Sequence, residues 1–251
     1  MKKFEHIISL GFFCSPAMEL ERKGLRDSSY PFDWLISDFE GVLACLNNNF
    51  SEFLHLDNLY QSKKNKAHYL DINYKFEFFH EFNEFESLES QLPDVKKKYQ
   101  RRILRFFECI KEDTLFIRYI KDQTEADYIN QNFSNILNTI KKFNQNNEIL
   151  FVGNNGIELN SDTLFFVVDK DPNDSVARQF LDKNNELDTL LSSDIYAKDK
   201  KIKNMELYTL KHSNEKKENK LYKISNKLTK FTRKQYHHKL TYQKIGERYL
   251  Y

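Results

Sequence analysis

At 251 residues the chain fits one large domain or two small ones, and with 40% hydrophobic and 15% aromatic residues it can fill a core, which excludes disorder throughout. The net charge of +2, from 39 basic and 37 acidic residues, is too balanced to direct the whole chain to nucleic acid or an anionic membrane. Three cysteines without paired spacing exclude a disulfide framework and give no metal signature. With no apolar leader and no apolar run approaching ~18 residues, a cytoplasmic protein with a free thiol is expected.

The first element predicted is a short β-branched strand, HIISL at 6–10, running through GFFCSP into a helix at 17–23. Ser15 is suited to cap that helix, Pro16 to open it and Gly24 to end it. Residues 25–34, LRDSSYPFDW, read as a turn, because Pro31 forces Tyr30 out of helical space. A helix is expected at 38–47, a polar loop through Lys66, a strand at 74–80 and a helix at 95–110. From Thr114 onward strands at 115–119, 148–152 and 163–168 alternate with a helix at 125–143. A further helix at 177–191 and a strand at 206–210 complete the series.

That alternation predicts an α/β fold: three layers around a mostly parallel sheet with crossover helices, over residues 1–212. Residues 213–251 are set apart as a basic, aromatic-containing C-terminal helix or tail that could meet a polyanion. VGNNG at 152–156 lacks the glycine spacing of a dinucleotide loop, and there is no P-loop.

Sites in parallel sheets gather beyond the carboxyl ends of the strands. Cys14 falls there, at a helix start, where unpaired N–H groups and the helix dipole favour a thiolate and could hold an oxyanion. The bland alternative is that Cys14 fills space between strand and helix. A nucleophilic cysteine needs a base. His80, at the end of an apolar strand and followed by Glu81, is the first candidate, with His212 as rival. Asp33 could orient the base or cap the next helix. Arg102 and Arg105 share a helix face and could hold a phosphate or carboxylate, or pair with nearby acids.

The run ISLGFFCSPAMELERKGLRDSSYPFDWL resembles the opening of a family of uncharacterised bacterial proteins catalogued as papain-like cysteine peptidases. FFHEF at 78–82, RRILRF at 101–106 and LFIR at 115–118 extend the resemblance in order over the first half of the chain. It implies Cys14 as nucleophile and His80 as base. Asp33, Arg102, Arg105 and Arg118 match further motif positions, and Glu81 replaces the family's aspartate. Trp34, in the PFDW block, is read with the three arginines as substrate-binding. The expected activity is cysteine-dependent acyl transfer, as a thiol peptidase or hydrolase on a peptide or other small-molecule substrate, without cofactor or metal. Two alternatives stand beside it. One is a cysteine or SGNH-like acyltransferase acting on a surface polysaccharide with a coenzyme A donor. The other is a non-enzymatic module that binds a sugar or polyanion.

Overall fold

The computed structural model describes residues 3–160, 163–170 and 179–192. The chain enters as β1 (His6–Ser9), turns into α1 (Ser15–Arg22), then forms β2 (Ile36–Ser37) and α2 (Phe39–Asn48). Three short strands follow, β3 (Leu59–Gln61), β4 (Tyr69–Asp71) and β5 (Phe76–Phe78), before the long helix α3 (Leu88–Cys109). The remainder runs β6 (Thr114–Tyr119), α4 (Gln123–Lys141), β7 (Glu148–Asn154), β8 (Leu164–Val168) and α5 (Asn185–Ser192).

Four strands make the parallel sheet that the alternation predicts, in the order β1-β6-β7-β8. β1, β6 and the middle of β7 are buried on both faces, as strands covered by helices on both sides must be. Ile7, Leu115, Ile117, Leu150 and Val152 pack with Leu20 and Leu25, in and just after α1, and Leu187 and Leu191 of α5. Ile8, Phe116, Ile149 and Phe151 face the other way, into a second core with Val42 and Leu46 of α2, Phe106 of α3 and Ile129 and Ile136 of α4. These are the three layers of an α/β fold.

Of a second, antiparallel sheet, β2-β5-β4-β3, only β5 was anticipated, within the strand expected at 74–80. Its strands β2, β3 and β4 are two or three residues long, too short to show a period. Tyr69, Phe76 and Phe78 insert one of its faces into the second core, while Ile36 joins the first. It holds to the parallel sheet at one edge, where the Ser37 N–H donates to the Phe12 carbonyl at 2.7 Å.

Several helix boundaries differ from expectation. The N-cap of α1 is Cys14 itself, not Ser15, and its side chain makes no capping hydrogen bond. Helix α3 begins well before 95, because Ser87 caps it by accepting from the Ser90 N–H and Pro93 is carried inside. A proline there removes one intrahelical bond. The Gln91 side chain offsets it by tying the first turn to the preceding loop, accepting from Asn83 N–H and donating to the Glu86 carbonyl. The strand expected at 206–210, His212 and the basic segment 213–251 lie outside the described residues, as do the first two residues of the helix expected at 177–191; the described α-helix begins only at Asn185, after a single 3-10 turn at Phe180–Asp182.

Candidate functional site

Cys14 lies immediately beyond the carboxyl end of β1 and caps α1. The turn that delivers it depends on Gly11, whose φ of +86° suits glycine and whose absent Cβ would stand 2.7 Å from Ser37 Oγ. The thiol is 3% exposed, within the apolar cluster of Phe12, Phe13, Leu20 and Ile36, with Trp34 and Phe79 packed against it. Burial pushes it up from 9.0 to about 11, against a smaller opposing effect of its own backbone N–H. At rest it is a neutral thiol, whereas the helix start alone argues for a thiolate. Desolvation outweighs the helix terminus here.

His80 follows β5 and is exposed, its ring 4.1 Å from that of Phe79. Phe79 therefore bridges between the imidazole and the cluster that contains Cys14. A second imidazole shares this region. Across the antiparallel ladder Ile36 faces Glu77 and Leu70 faces Glu77, so side-chain alternation places Trp34, Ile36, His68, Glu77 and Phe79 on one face. His68 Nδ1 lies 3.4 Å from Glu77 Oε1 and its ring 6.3 Å from that of Phe79. This imidazole–carboxylate pair was missed because β4 ends the loop that sequence reading left without structure. The alternation of Glu77 and Phe79 was the only available hint.

The acids expected to serve the base belong to a different network. Asp33 is 0% exposed and accepts from Arg26 Nη2 at 2.6 Å and from the Tyr30 N–H at 2.7 Å. Burial raises its carboxyl above the ordinary value, opposed by Arg26, the Tyr30 amide and Arg102. Glu81 is paired with Lys98, accepts from the Tyr99 hydroxyl at 3.2 Å and lies 3.6 Å from Arg102 Nη1. The Arg102 guanidinium also rests 5.1 Å from the Tyr99 ring centre. Asp33 and Glu81 therefore each answer arginine or lysine, Asp33 pairing with Arg26 within the 26–34 loop and Glu81 with Lys98 and Arg102 of α3. Arg105, on the exposed side, donates to the Ser29 carbonyl at 2.9 Å and holds the same loop. Trp34 carries the Arg26 guanidinium 5.5 Å from its ring and is the residue of the PFDW block that reaches the Cys14 cluster.

Arg118, expected as a substrate contact, has all five of its N–H donors engaged within the protein. It is fully buried on β6. Nε and Nη2 bind Glu125 at 2.8 and 2.6 Å, Nη1 donates to the Leu10 carbonyl and Ser37 Oγ, and Nη2 also to the Ser37 carbonyl. Five bonds to the end of β1, to β2 and to α4 make it a clamp under the Gly11–Cys14 turn. It positions the site from below.

Chemically, the arrangement offers a thiol at a helix start, an aromatic wall of Trp34 and Phe79, and two imidazoles on the adjoining sheet. No solved structure matches the chain. A curated relative, "Uncharacterized protein R408" of Acanthamoeba polyphaga mimivirus, is 29% identical over 144 residues, covering 49% of this chain and 64% of the relative. The chain thus spans less than two-thirds of that relative's length. Residues 5–154 hold every motif block described above and match the family described as "Putative papain-like cysteine peptidase (DUF1796)", and the chain belongs to that family.

Proposed function

We propose that this protein is a cysteine-dependent acyl-transfer hydrolase of the thiol-peptidase type, with Cys14 as nucleophile and His80 as base. The observation that carries the proposal is the position of Cys14, at the start of α1 and just beyond a parallel strand, beside a sheet bearing histidine. Family membership supports the same chemistry. In the first step His80 takes the thiol proton and the Cys14 sulfur bonds to the substrate carbonyl carbon, whose oxygen becomes an oxyanion held by N–H groups of the α1 start. Collapse expels the leaving group, which takes the proton from the imidazolium. Water then cleaves the thioester with the imidazole as base, releasing the acid and restoring the thiol.

With the thiol at about 11, only about one molecule in ten thousand carries a thiolate at neutral pH. Catalysis therefore rests on proton transfer during attack and on a substrate that opens the Trp34 and Phe79 wall. The test is incubation with a chromogenic peptide amide and, separately, with an acyl-coenzyme A, followed by intact mass. Hydrolysis of the amide that disappears in Cys14→Ser is the expected result. An acyl adduct from coenzyme A that transfers to a sugar hydroxyl, without amide hydrolysis, would replace the hydrolase by a transferase.

A further inference from the structure

At the amino end of β1, the other end of that strand from Cys14, three chemically matched side chains converge from distant parts of the chain. His6 opens β1, Asp27 lies in the loop after α1, and Cys109 ends α3. His6 Nδ1 is 2.6 Å from Asp27 Oδ2 and its Nε2 is 3.2 Å from Glu112 Oε2. The Tyr30 hydroxyl donates to Asp27 Oδ1 at 2.6 Å and lies 3.3 Å from Cys109 Sγ. One donor atom each from His6, Asp27 and Cys109 falls within a mutual 4.8 Å.

From this convergence we propose that His6, through Nδ1, Asp27 and Cys109 bind a single divalent ion of the zinc class, with water as fourth ligand and Glu112 holding the other imidazole nitrogen. In a tetrahedral zinc site, metal–ligand bonds of roughly 2.0–2.3 Å set neighbouring donors about 3.3–3.7 Å apart. To reach that spacing the His6–Asp27 pair, at 2.6 Å, would open by roughly an ångström while the widest separation, within 4.8 Å, would close. The ligand types select the ion: a thiolate with an imidazole suits zinc or cobalt, whereas calcium and magnesium require oxygen shells. Tyr30 supplies the outer support such sites carry, since its hydroxyl fixes the carboxylate and sits against the sulfur. Cys109 and His6 enter as thiolate and neutral imidazole, their protons passing to solvent. The ion would tie β1, the loop after α1 and α3 together, away from Cys14.

The test uses the full chain after treatment with a chelator. Titration with Co2+ is expected to give a near-ultraviolet thiolate-to-cobalt band with tetrahedral visible absorption, both bleached by Zn2+, retained in Cys14→Ser and lost in Cys109→Ser. On the unsubstituted chain, Zn2+ is expected to slow alkylation of Cys109 by about tenfold or more, read by peptide mass. This second measurement stands even if Cys109→Ser folds poorly. Absence of the band, its survival in Cys109→Ser, or equal labelling of Cys109 with and without Zn2+ would overturn the proposal.

Discussion

Replacing Arg118 by methionine removes the cation from a place where water does not enter. The Glu125 carboxylate, only 6% exposed, loses its bidentate partner, and the Leu10 carbonyl, the Ser37 carbonyl and Ser37 Oγ each lose a donor. Leaving one member of a buried ion pair unpaired costs about 3–5 kcal/mol. Each orphaned acceptor would add about 1–3 kcal/mol, although losses in one network do not simply sum. Arg118→Met is therefore expected to lower unfolding free energy by at least about 3 kcal/mol, a large share of the 5–15 kcal/mol typical of a domain. Urea unfolding followed by circular dichroism reads the loss as a lower midpoint. Arg118→Met with Glu125→Leu should recover part of it, because no uncompensated charge is left inside. Since the lost bonds hold Leu10 and Ser37 on either side of Gly11, alkylation of Cys14 should also quicken. A loss under about 1 kcal/mol, or a double variant no better than the single one, would refute the view of Arg118 as the clamp.

Three further outcomes are expected. Gly11→Ala should destabilise by more than the about 1–2 kcal/mol that a left-handed non-glycine costs, because its Cβ also meets Ser37 Oγ, whereas Gly156→Ala, at φ +90° with open space around it, should lose only the conformational part; thermal unfolding of the pair checks this. Because the folded thiol at Cys14 sits at about 11 and its ordinary value is 9.0, its contribution to stability is complete below pH 9 and is lost as pH rises toward 11. That loss is at most about 3 kcal/mol, so the stability gap between the parent and Cys14→Ala, measured by urea midpoint, should narrow over this interval. Under the proposed chemistry His80→Ala should lower acyl transfer by about 10²–10⁴-fold and His68→Ala by less than about tenfold; the reverse order would assign the base to the His68–Glu77 pair.

What could be read from the sequence follows from the length over which a signal runs. β1, β6 and β7 are β-branched and aromatic runs covered on both faces, so a few residues announce a parallel strand. β2, β3 and β4 are legible only through partners elsewhere in the chain, and with them His68 and Glu77 went unseen. Cys14 stood out because strand, glycine, cysteine and proline are contiguous, yet its neutral state follows from burial in a cluster that also draws in Ile36 and residues of β6 and β7, which the local sequence does not show. Arg118 matched a motif block, but its five bonds come from β1, β2 and α4 and decide that it clamps. His6, Asp27 and Cys109 carry no spacing pattern at all. Only the pairing of β1 with β6, which sets His6 opposite Thr114 and so beside the end of α3, brings them together.

The identity of the nucleophile is tested most directly by a peptidyl diazomethyl ketone that alkylates a cysteine only when the adjoining base and binding wall are engaged, with the modified residue located by peptide mass. Single modification at Cys14, abolished by His80→Ala although Cys14 is the more deeply covered thiol, is the predicted result. Modification confined to the more accessible Cys109 would contradict it.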